Sequence, residues 1–310
     1  MQRSFAWVII GGAVVVAAAV LAFLLLSNRP AAEPAPSPSP SATVAPSASA
    51  SPAADLLGRR WTVLFVGTDH SAEREAMGLP VNSDAILVAS LSADQSQLTL
   101  VSLPRDTVDV PLPEGGTYEP KINELYVEQG IEALQGAVET ALGVPIDAHF
   151  VLDMDDMAAL IGSVGGVDVN PSDALADDVF TGLHLDAGPQ ELDAPTALLY
   201  LRTRIDTDYG RMGRHQEVIV SLIERLTDPD RSIDLISLLD GFASLETDLP
   251  LDQLESLLEL ARRARDAEVA NFVIQPPLIT FEGDRDDGRG YVLEADFDAI
   301  QAEVQALIGD

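Results

Sequence analysis

Four of the chain's seventeen arginines fall within thirteen residues, at Arg202, Arg204, Arg211 and Arg214. A fifth, Arg105, is followed at once by Asp106, and Lys121 is the only lysine. Guanidinium groups gathered in this way can build a local anion site, because their planar fork matches phosphate oxygens. A strand continuing through residues 200–208 would set Arg202, Arg204, Asp206 and Asp208 on one face. Gly210 then opens a helix striped by Val218, Ile219, Leu222, Ile223 and Leu226, with Arg211 and Arg214 in its first turn. Cations there oppose the helix dipole unless an anion neutralises both. Pairing with the abundant carboxylates explains the same arginines without a ligand, and spacing alone leaves both readings open.

The acidic candidates are fewer. Asp69 follows the first expected strand and Asp84 immediately precedes the second. Two carboxylates at neighbouring strand ends can share a hard cation such as Mg²⁺, which takes oxygen ligands and bound phosphate. Asp153, Asp155 and Asp156 form a denser group that fits a solvated loop and a helix cap. The four histidines are scattered without metal spacing, and there is no serine elbow. Hydrolase triads therefore lack support. His215 falls within the arginine helix, where facing the site and taking a polar surface or capping position are both open, the second being the commoner use.

These side chains need elements to hold them. Apolar runs predict strands over residues 61–67, 85–91 and 98–103, the last two joined as a hairpin by the turn-like stretch 92–96. Leu125, Val127, Ile131, Leu134, Val138 and Leu142 follow helical spacing, predicting one helix over 123–142 ended by Gly143 and Pro145. Further strands are expected at 148–153, 167–170, 197–204 and 271–275. Helices are expected at 154–164, 212–226, 251–267 and 295–307. Alternating strands and helices imply an α/β fold, a mixed central β-sheet flanked by helices on both faces.

Composition narrows the function classes. Fifty acidic against 18 basic side chains give a formal charge of −32, so no general affinity for nucleic acid is expected. At 47% hydrophobic, the chain can bury enough surface to fold. It has no cysteine, which excludes a disulfide framework, a thiol nucleophile and a thiolate metal site.

Residues 5–26 are 22 in number and carry no charge. As a helix rising about 1.5 Å per residue they span roughly 33 Å, a bilayer core. A cleaved signal peptide is the alternative, although the apolar stretch exceeds the usual h-region. The expected organisation is a cytoplasmic tip and transmembrane anchor over 1–28, a Pro/Ala/Ser-rich linker over 29–55, and one domain over 56–310. Arg3 precedes the anchor, so positive-inside logic sets the terminus in the cytoplasm and the domain outside. The linker fits an extended stalk with a reach on the order of 80–90 Å and fits a disordered tether equally well.

In order along the chain, seven segments resemble the LytR-CpsA-Psr family of cell-wall glycopolymer ligases. They are Leu64-Phe-Val-Gly-Thr-Asp69, Asn82-Ser-Asp-Ala-Ile-Leu87, Leu100-Val-Ser-Leu-Pro-Arg-Asp-Thr107, Lys121-Ile-Asn123, Gly165-Gly-Val-Asp-Val169, Ala197-Leu-Leu-Tyr-Leu-Arg-Thr-Arg204 and Asp208-Tyr-Gly-Arg-Met-Gly-Arg-His-Gln216. The resemblance implies an extracytoplasmic phosphotransferase that takes a glycopolymer from a polyprenyl pyrophosphate carrier and joins it by a phosphodiester to a peptidoglycan hydroxyl. By position, Arg105, Arg202, Arg204 and Arg214 resemble the pyrophosphate-binding arginines, with Arg211 beside them. Asp69 and Asp84 resemble the acidic positions near a magnesium ion, Asp106 the partner that orients the arginines, Lys121 and Asn123 the following loop, and Gln216 the residue closing the site. An apolar tunnel for the prenyl chain is expected between the sheet and the 123–142 helix, with ordinary core packing accounting equally well for that helix and for most of its apolar residues. A polyprenyl pyrophosphatase and a non-catalytic polyprenyl phosphate receptor are the competing functions. This chain departs from the family pattern at Ala85, where threonine is common, at His215, where glutamine is frequent, and after Asp69, where the nearest arginine is Arg74.

Overall fold

Alternation along four strands decides the architecture. In β1 (Trp61–Thr68), Trp61, Val63 and Phe65 pack on one side and Leu64 and Val66 on the other. The same split in β2 (Ser83–Leu91) and β3 (Gln97–Ser102) sends Leu87, Ala89, Leu98 and Leu100 to the first face and Ile86, Val88 and Val101 to the second. In β6 (Ala148–Leu152), Phe150 and Leu152 take the first face and Val151 the second. A sheet apolar on both faces has to be covered on both.

The computed structural model describes residues 56–78, 81–231, 233–234, 246–250 and 253–308. The expected anchor and linker fall outside them. Among the described residues, no helix is long and apolar enough to cross a membrane.

The central sheet runs in the order β11 (Glu246–Thr247), β6, β1, β2, β3, β12 (Glu268–Val273). β1 is antiparallel to β2 and parallel to β6, while β3 is antiparallel to β2 and parallel to β12. This is the mixed sheet expected from the sequence. The first face is covered by α4 (Met154–Ser163), α5 (Ala194–Arg202), α6 (Asp208–Thr227) and α7 (Leu254–Asp266). The second is covered by α2 (Ile122–Gln129), α3 (Ile131–Leu142) and α8 (Phe297–Ile308). A short α1 (Ala72–Ala76) follows β1. Four two-stranded ribbons complete the chain: β4 (Val110–Pro111) with β5 (Thr117–Tyr118), β7 (Val167–Val169) with β10 (Gln190–Leu192), β8 (Leu175–Asp177) with β9 (Leu183–Leu185), and β13 (Ile279–Arg285) with β14 (Gly290–Ala295).

Several expected elements change type or length. The strand expected at 197–204 is helix α5. Its start is set by Asp193, whose carboxylate accepts from Thr196 N at 3.0 Å, with a proline in the first turn. The apolar run from Ala197 to Leu201 carries no clear period of its own, so capping decided the outcome. The single helix expected over 123–142 is two, because Gly130 at φ +88° breaks the chain between α2 and α3. The helix expected to open at Gly210 starts at Asp208, with the Thr207 hydroxyl accepting from Gly210 N at 2.9 Å. The strand expected at 167–170 pairs in the β7–β10 ribbon, outside the central sheet.

That ribbon explains the Gly165-Gly166 pair. Gly166 sits at φ +108°, and a Cβ there would lie 2.5 Å from Leu192 O. Just beyond, Arg225 of α6, only 2% exposed, holds both Asp168 and Glu191 and so bolts α6 to the ribbon. Gly166→Ala should therefore destabilise the fold by roughly 1–3 kcal/mol through backbone strain alone, read as a lower urea midpoint. An unchanged midpoint would contradict the close approach.

Candidate active site

A register shift places the first acidic residue. Gly67 pairs with Ala85 and Thr68 with Ser83, so Asp84 is the extra residue of a bulge. Bulges re-aim side chains, and this one turns Asp84 toward the arginines. Its Oδ1 accepts from Arg105 Nη1, and its Oδ2 lies 3.5 Å from Arg204 Nη2. Its backbone carbonyl accepts from Arg211 Nη1 at 2.9 Å.

Three separate segments meet there. Arg105 sits in the turn after β3, where Thr107 N and Oγ1 both donate to Pro104 O. Asn123 N donates to Arg105 O at 3.2 Å, tying the start of α2 to the turn. Asp106 lies 3.4 Å from Arg105 Nε and 3.2 Å from Lys121 Nζ. Arg204 follows α5, and Arg211 stands one turn into α6. Between them Asp208 Oδ1 lies 3.2 Å from Arg204 Nε and 2.9 Å from Arg211 Nε. Three guanidinium groups thus enclose two carboxylates.

The electrostatics follow from that packing. Burial pushes Arg204 below the ordinary arginine value, and repulsion from Arg211 and Arg105 adds to it. Burial acts the same way on Arg105, but Asp84 and Asp106 together outweigh it and raise the value. For Asp208, burial favours the neutral acid, yet Arg211, Arg204 and Arg105 hold it below the usual carboxylate range. The Arg211 side chain is 3% exposed, and its Nη2 has no hydrogen-bond partner. A buried donor left unmatched beside a cavity calls for an acceptor.

The cavity is about 500 Å³. Asp69, Arg74, Asp84, Arg202, Arg204 and Arg211 supply its charged lining, and Phe65, Leu87, Leu152, Met157, Leu198, Leu201, Val218 and Ile219 supply an apolar interior. It lies on the first face of the sheet, under α4, α5 and α6. The tunnel expected beside residues 123–142 is therefore misplaced, because α2 and α3 cover the opposite face and are filled by core packing. Phe180, at the β8–β9 turn, also lines the cavity and is 71% exposed. That turn is held by Asp177, which accepts from Phe180 N, Thr181 Oγ1 and Thr203 Oγ1. Although burial opposes its charge, the Thr203, Phe180 and Thr181 hydrogen bonds lower the Asp177 carboxyl to about 2.

Of the expected site residues, Asp69, Asp84, Arg202, Arg204 and Arg211 line the cavity, Arg105 adjoins it through Asp84, and Asp106 and Lys121 stand behind Arg105. Asp69 is itself braced, by Arg74 at 2.6 Å and by Asn82 N at 2.7 Å. Arg202 is exposed at the end of α5 and makes no ion pair among the described residues. Asn123 is buried beneath the Arg105 turn, where its backbone carbonyl accepts from Ser83 Oγ.

Two residues stand apart. Arg214 is outside the cavity lining; it donates to Tyr200 O and Thr203 O and grips Asp206, strapping the 203–206 segment onto α6. Gln216 is also outside it, donating to Ser102 Oγ and Phe272 O at 2.9 Å and so joining α6 to β3 and β12. The single face expected for Arg202, Arg204, Asp206 and Asp208 does not exist, since the helix break sends Asp206 to Arg214 and Asp208 to Arg204. Asp208 is the main residue that sequence reasoning left out of the site. Its signal was its spacing, four residues after Arg204 and three before Arg211.

Of the two positions open to His215 from the sequence, the structure takes the site-facing one: it lines the cavity, with a ring nitrogen 2.9 Å from Leu201 O, and is not at the surface or a cap of its own helix. Burial, reinforced by Arg211, lowers its pKa to about 3.

A two-faced α/β sheet carrying a guanidinium cluster at the edge of an apolar cavity suits an amphiphilic anion, one charged end joined to a hydrocarbon. The chain belongs to the LytR_cpsA_psr family, whose model matches residues 42–305. It is 30% identical over 203 residues to the polyisoprenyl-teichoic acid–peptidoglycan teichoic acid transferase TagU of Enterococcus faecalis, covering 64% of each chain. It is 28% identical over 180 residues to TagV of Bacillus subtilis and 32% identical over 189 residues to the probable cell wall biosynthesis protein LcpB of Corynebacterium glutamicum. The matches cover 56% and 57% of this chain and 45% and 44% of those relatives. The chain thus matches less than two thirds of the length of these curated relatives. In fold it is similar to B. subtilis TagV, with a TM-score of 0.64 at 21% identity over 81% of this chain and 98% of that one. It is similarly close to TagT bound to LIIa-WTA, at 0.62 and 20% over 83% and 93%.

His215 gives a pH prediction. A histidine kept neutral by the fold gains its proton on unfolding, so between pH 6.5 and about 3 the unfolded chain binds more protons. Stability therefore falls as pH falls through that window. His215→Gln removes this component, and wild type should lose ground to it by up to roughly 1.4 kcal/mol per pH unit. Urea unfolding of both proteins between pH 7.5 and 5 measures this; parallel pH dependences would contradict it.

Proposed function

We propose that this protein is a membrane-anchored, extracytoplasmic phosphotransferase. It moves a glycopolymer from a polyprenyl pyrophosphate carrier to a peptidoglycan hydroxyl and leaves a phosphodiester. The observation that carries this reading is the unmatched, buried Arg211 Nη2 within a three-arginine cluster, at the edge of an apolar cavity of about 500 Å³. A pyrophosphate joined to a prenyl chain satisfies both halves at once. The relatives named as teichoic acid transferases supply the glycopolymer and the acceptor by analogy.

The reaction needs positioned charge more than a protein nucleophile. The acceptor oxygen bonds to the distal phosphorus, and the bond from that phosphorus to the bridging oxygen breaks. Polyprenyl monophosphate departs with the bridging oxygen. The hydroxyl proton passes through a neighbouring carboxylate to the departing phosphate. Arg204 and Arg211 hold the phosphate oxygens, while Asp84 and Asp208 fix those guanidinium groups in advance, so little reorganisation accompanies the charge shift. Phe65, Leu87, Leu152 and Met157 hold the prenyl chain and exclude water from the carrier side.

Asp69 and Asp84 fit a magnesium ion as two hard oxygen donors lining the same cavity. Among the described residues no group of three or more metal-ligating side chains stands together. The pair would therefore hold the ion jointly with substrate phosphate and water, the usual arrangement for Mg²⁺. When bound, the ion adds charge neutralisation at the pyrophosphate.

The test is incubation of the full chain in detergent with a short-chain polyprenyl pyrophosphate glycan and peptidoglycan fragments, with Mg²⁺ or with EDTA. Joined glycan–peptidoglycan product is expected with Mg²⁺, and its loss with EDTA. Free phosphorylated glycan as the only product would instead make the protein a pyrophosphatase, and retention without turnover a receptor. Arg105→Ala and Arg204→Ala should each lower turnover about 10²–10³-fold, and full activity in both would refute the arginine assignment.

A further inference from the structure

The β13–β14 hairpin carries a polar aromatic group that the donor site leaves unused. Glu282 of β13 is exposed and accepts hydrogen bonds from two tyrosine hydroxyls, Tyr209 at 2.9 Å and Tyr291. Tyr209 is the second residue of α6, directly after Asp208. Tyr291 is 43% exposed on β14.

The hairpin is fastened to the arginine turn. Leu293 N donates to Asp106 O and Val108 N to Leu293 O, both at 3.0 Å, with a bridge between Thr107 and Leu293. Its apolar side, through Ile279 and Leu293, belongs to the core of the second sheet face, whereas the cavity lies on the first. The arginine–aspartate cluster stands between the two. Tyr291 is near enough to Asp106 and Asp208 for their charge to add to the burial and the Glu282 hydrogen bond that raise its pKa.

Phosphoryl transfer places the attacking and leaving oxygens roughly in line across phosphorus. With the prenyl chain in the cavity, the carrier phosphate departs toward the first face, so the attacking hydroxyl arrives from the hairpin side. A glycan approaching there meets what a pyranose needs: the exposed Tyr291 ring for its C–H surface, and a carboxylate with phenolic hydroxyls for its own hydroxyls. We infer that Tyr209, Glu282 and Tyr291 form the subsite for the acceptor glycan. This rests on the phosphotransferase reading for its direction of attack, and its test is separable from it.

The full chain in detergent is mixed with a soluble muramic-acid-containing glycan fragment, and binding is read by saturation-transfer NMR without any donor. Wild type should give signal on the sugar protons. Tyr291→Ala and Glu282→Gln should lose it, and Tyr291→Phe should keep part of it because the ring remains. In the coupled assay, Tyr291→Ala should raise the acceptor KM about tenfold with the donor KM unchanged. Unchanged fragment binding in both Tyr291→Ala and Glu282→Gln would overturn the assignment. So would a rise in donor KM alone, which would give the group to the donor's glycan. A wild type that binds the fragment through Tyr291 but never turns over donor supports the subsite while sinking the phosphotransferase reading.

Discussion

Repulsion among Arg105, Arg204 and Arg211 is the constraint around which the site is arranged. Guanidinium groups this close and this buried would spread apart in the absence of Asp84 and Asp208. Both carboxylates are supplied by local irregularities: Asp84 by a bulge in β2, and Asp208 by the Thr207-capped start of α6. Neither backbone feature is needed to pack a core. With Asp106 and Lys121 counted beside them, four cations face three carboxylates, and Arg105 Nε, Arg204 Nε and Arg211 Nη2 are buried without a hydrogen bond, a surplus that an incoming anion removes.

The two sheet faces divide the labour. On the second face α2, α3 and α8 fill the space with Leu125, Leu134, Val138 and Ile300. On the first face the helices meet the sheet less closely around Phe65 and Leu87, and the cavity remains. Both faces start from the same alternation along β1 and β2. The difference lies in the connections: the segment joining α5 to α6 must carry Arg204 and is held by Asp177, Thr203 and Arg214, so it does not collapse onto the sheet.

Much of this was legible in the sequence. Short apolar runs located β1, β2, β3 and β6, because a sheet buried on both faces is apolar throughout, and helical spacing located α3 and α6, because burial of one face imposes that period. The arginine cluster was legible because cations are scarce among fifty acids. Capping was harder to read: Asp193 and Thr207 turned an expected strand into α5 and moved the start of α6, which reassigned Asp206 and Asp208 to different arginines. The face on which the cavity lies was not legible either. It depends on which helices pack loosely, a property of three-dimensional fit that no single segment encodes. Arg214 and Gln216 illustrate the same limit, since their spacing matches the site although their hydrogen bonds serve α6 and its neighbours.

The charge balance bears on selectivity as well. A formal charge of −32 repels free anions, and the guanidinium cluster opposes that field locally. A soluble nucleotide or free phosphate would meet the repulsion with no apolar binding to offset it. An anion carrying a hydrocarbon chain gains burial along Phe65, Leu152 and Val218 as its charged end reaches Arg204 and Arg211. Under the proposed function, discrimination comes from requiring both interactions together. An acidic exterior lowers the affinity for everything that offers only one of them.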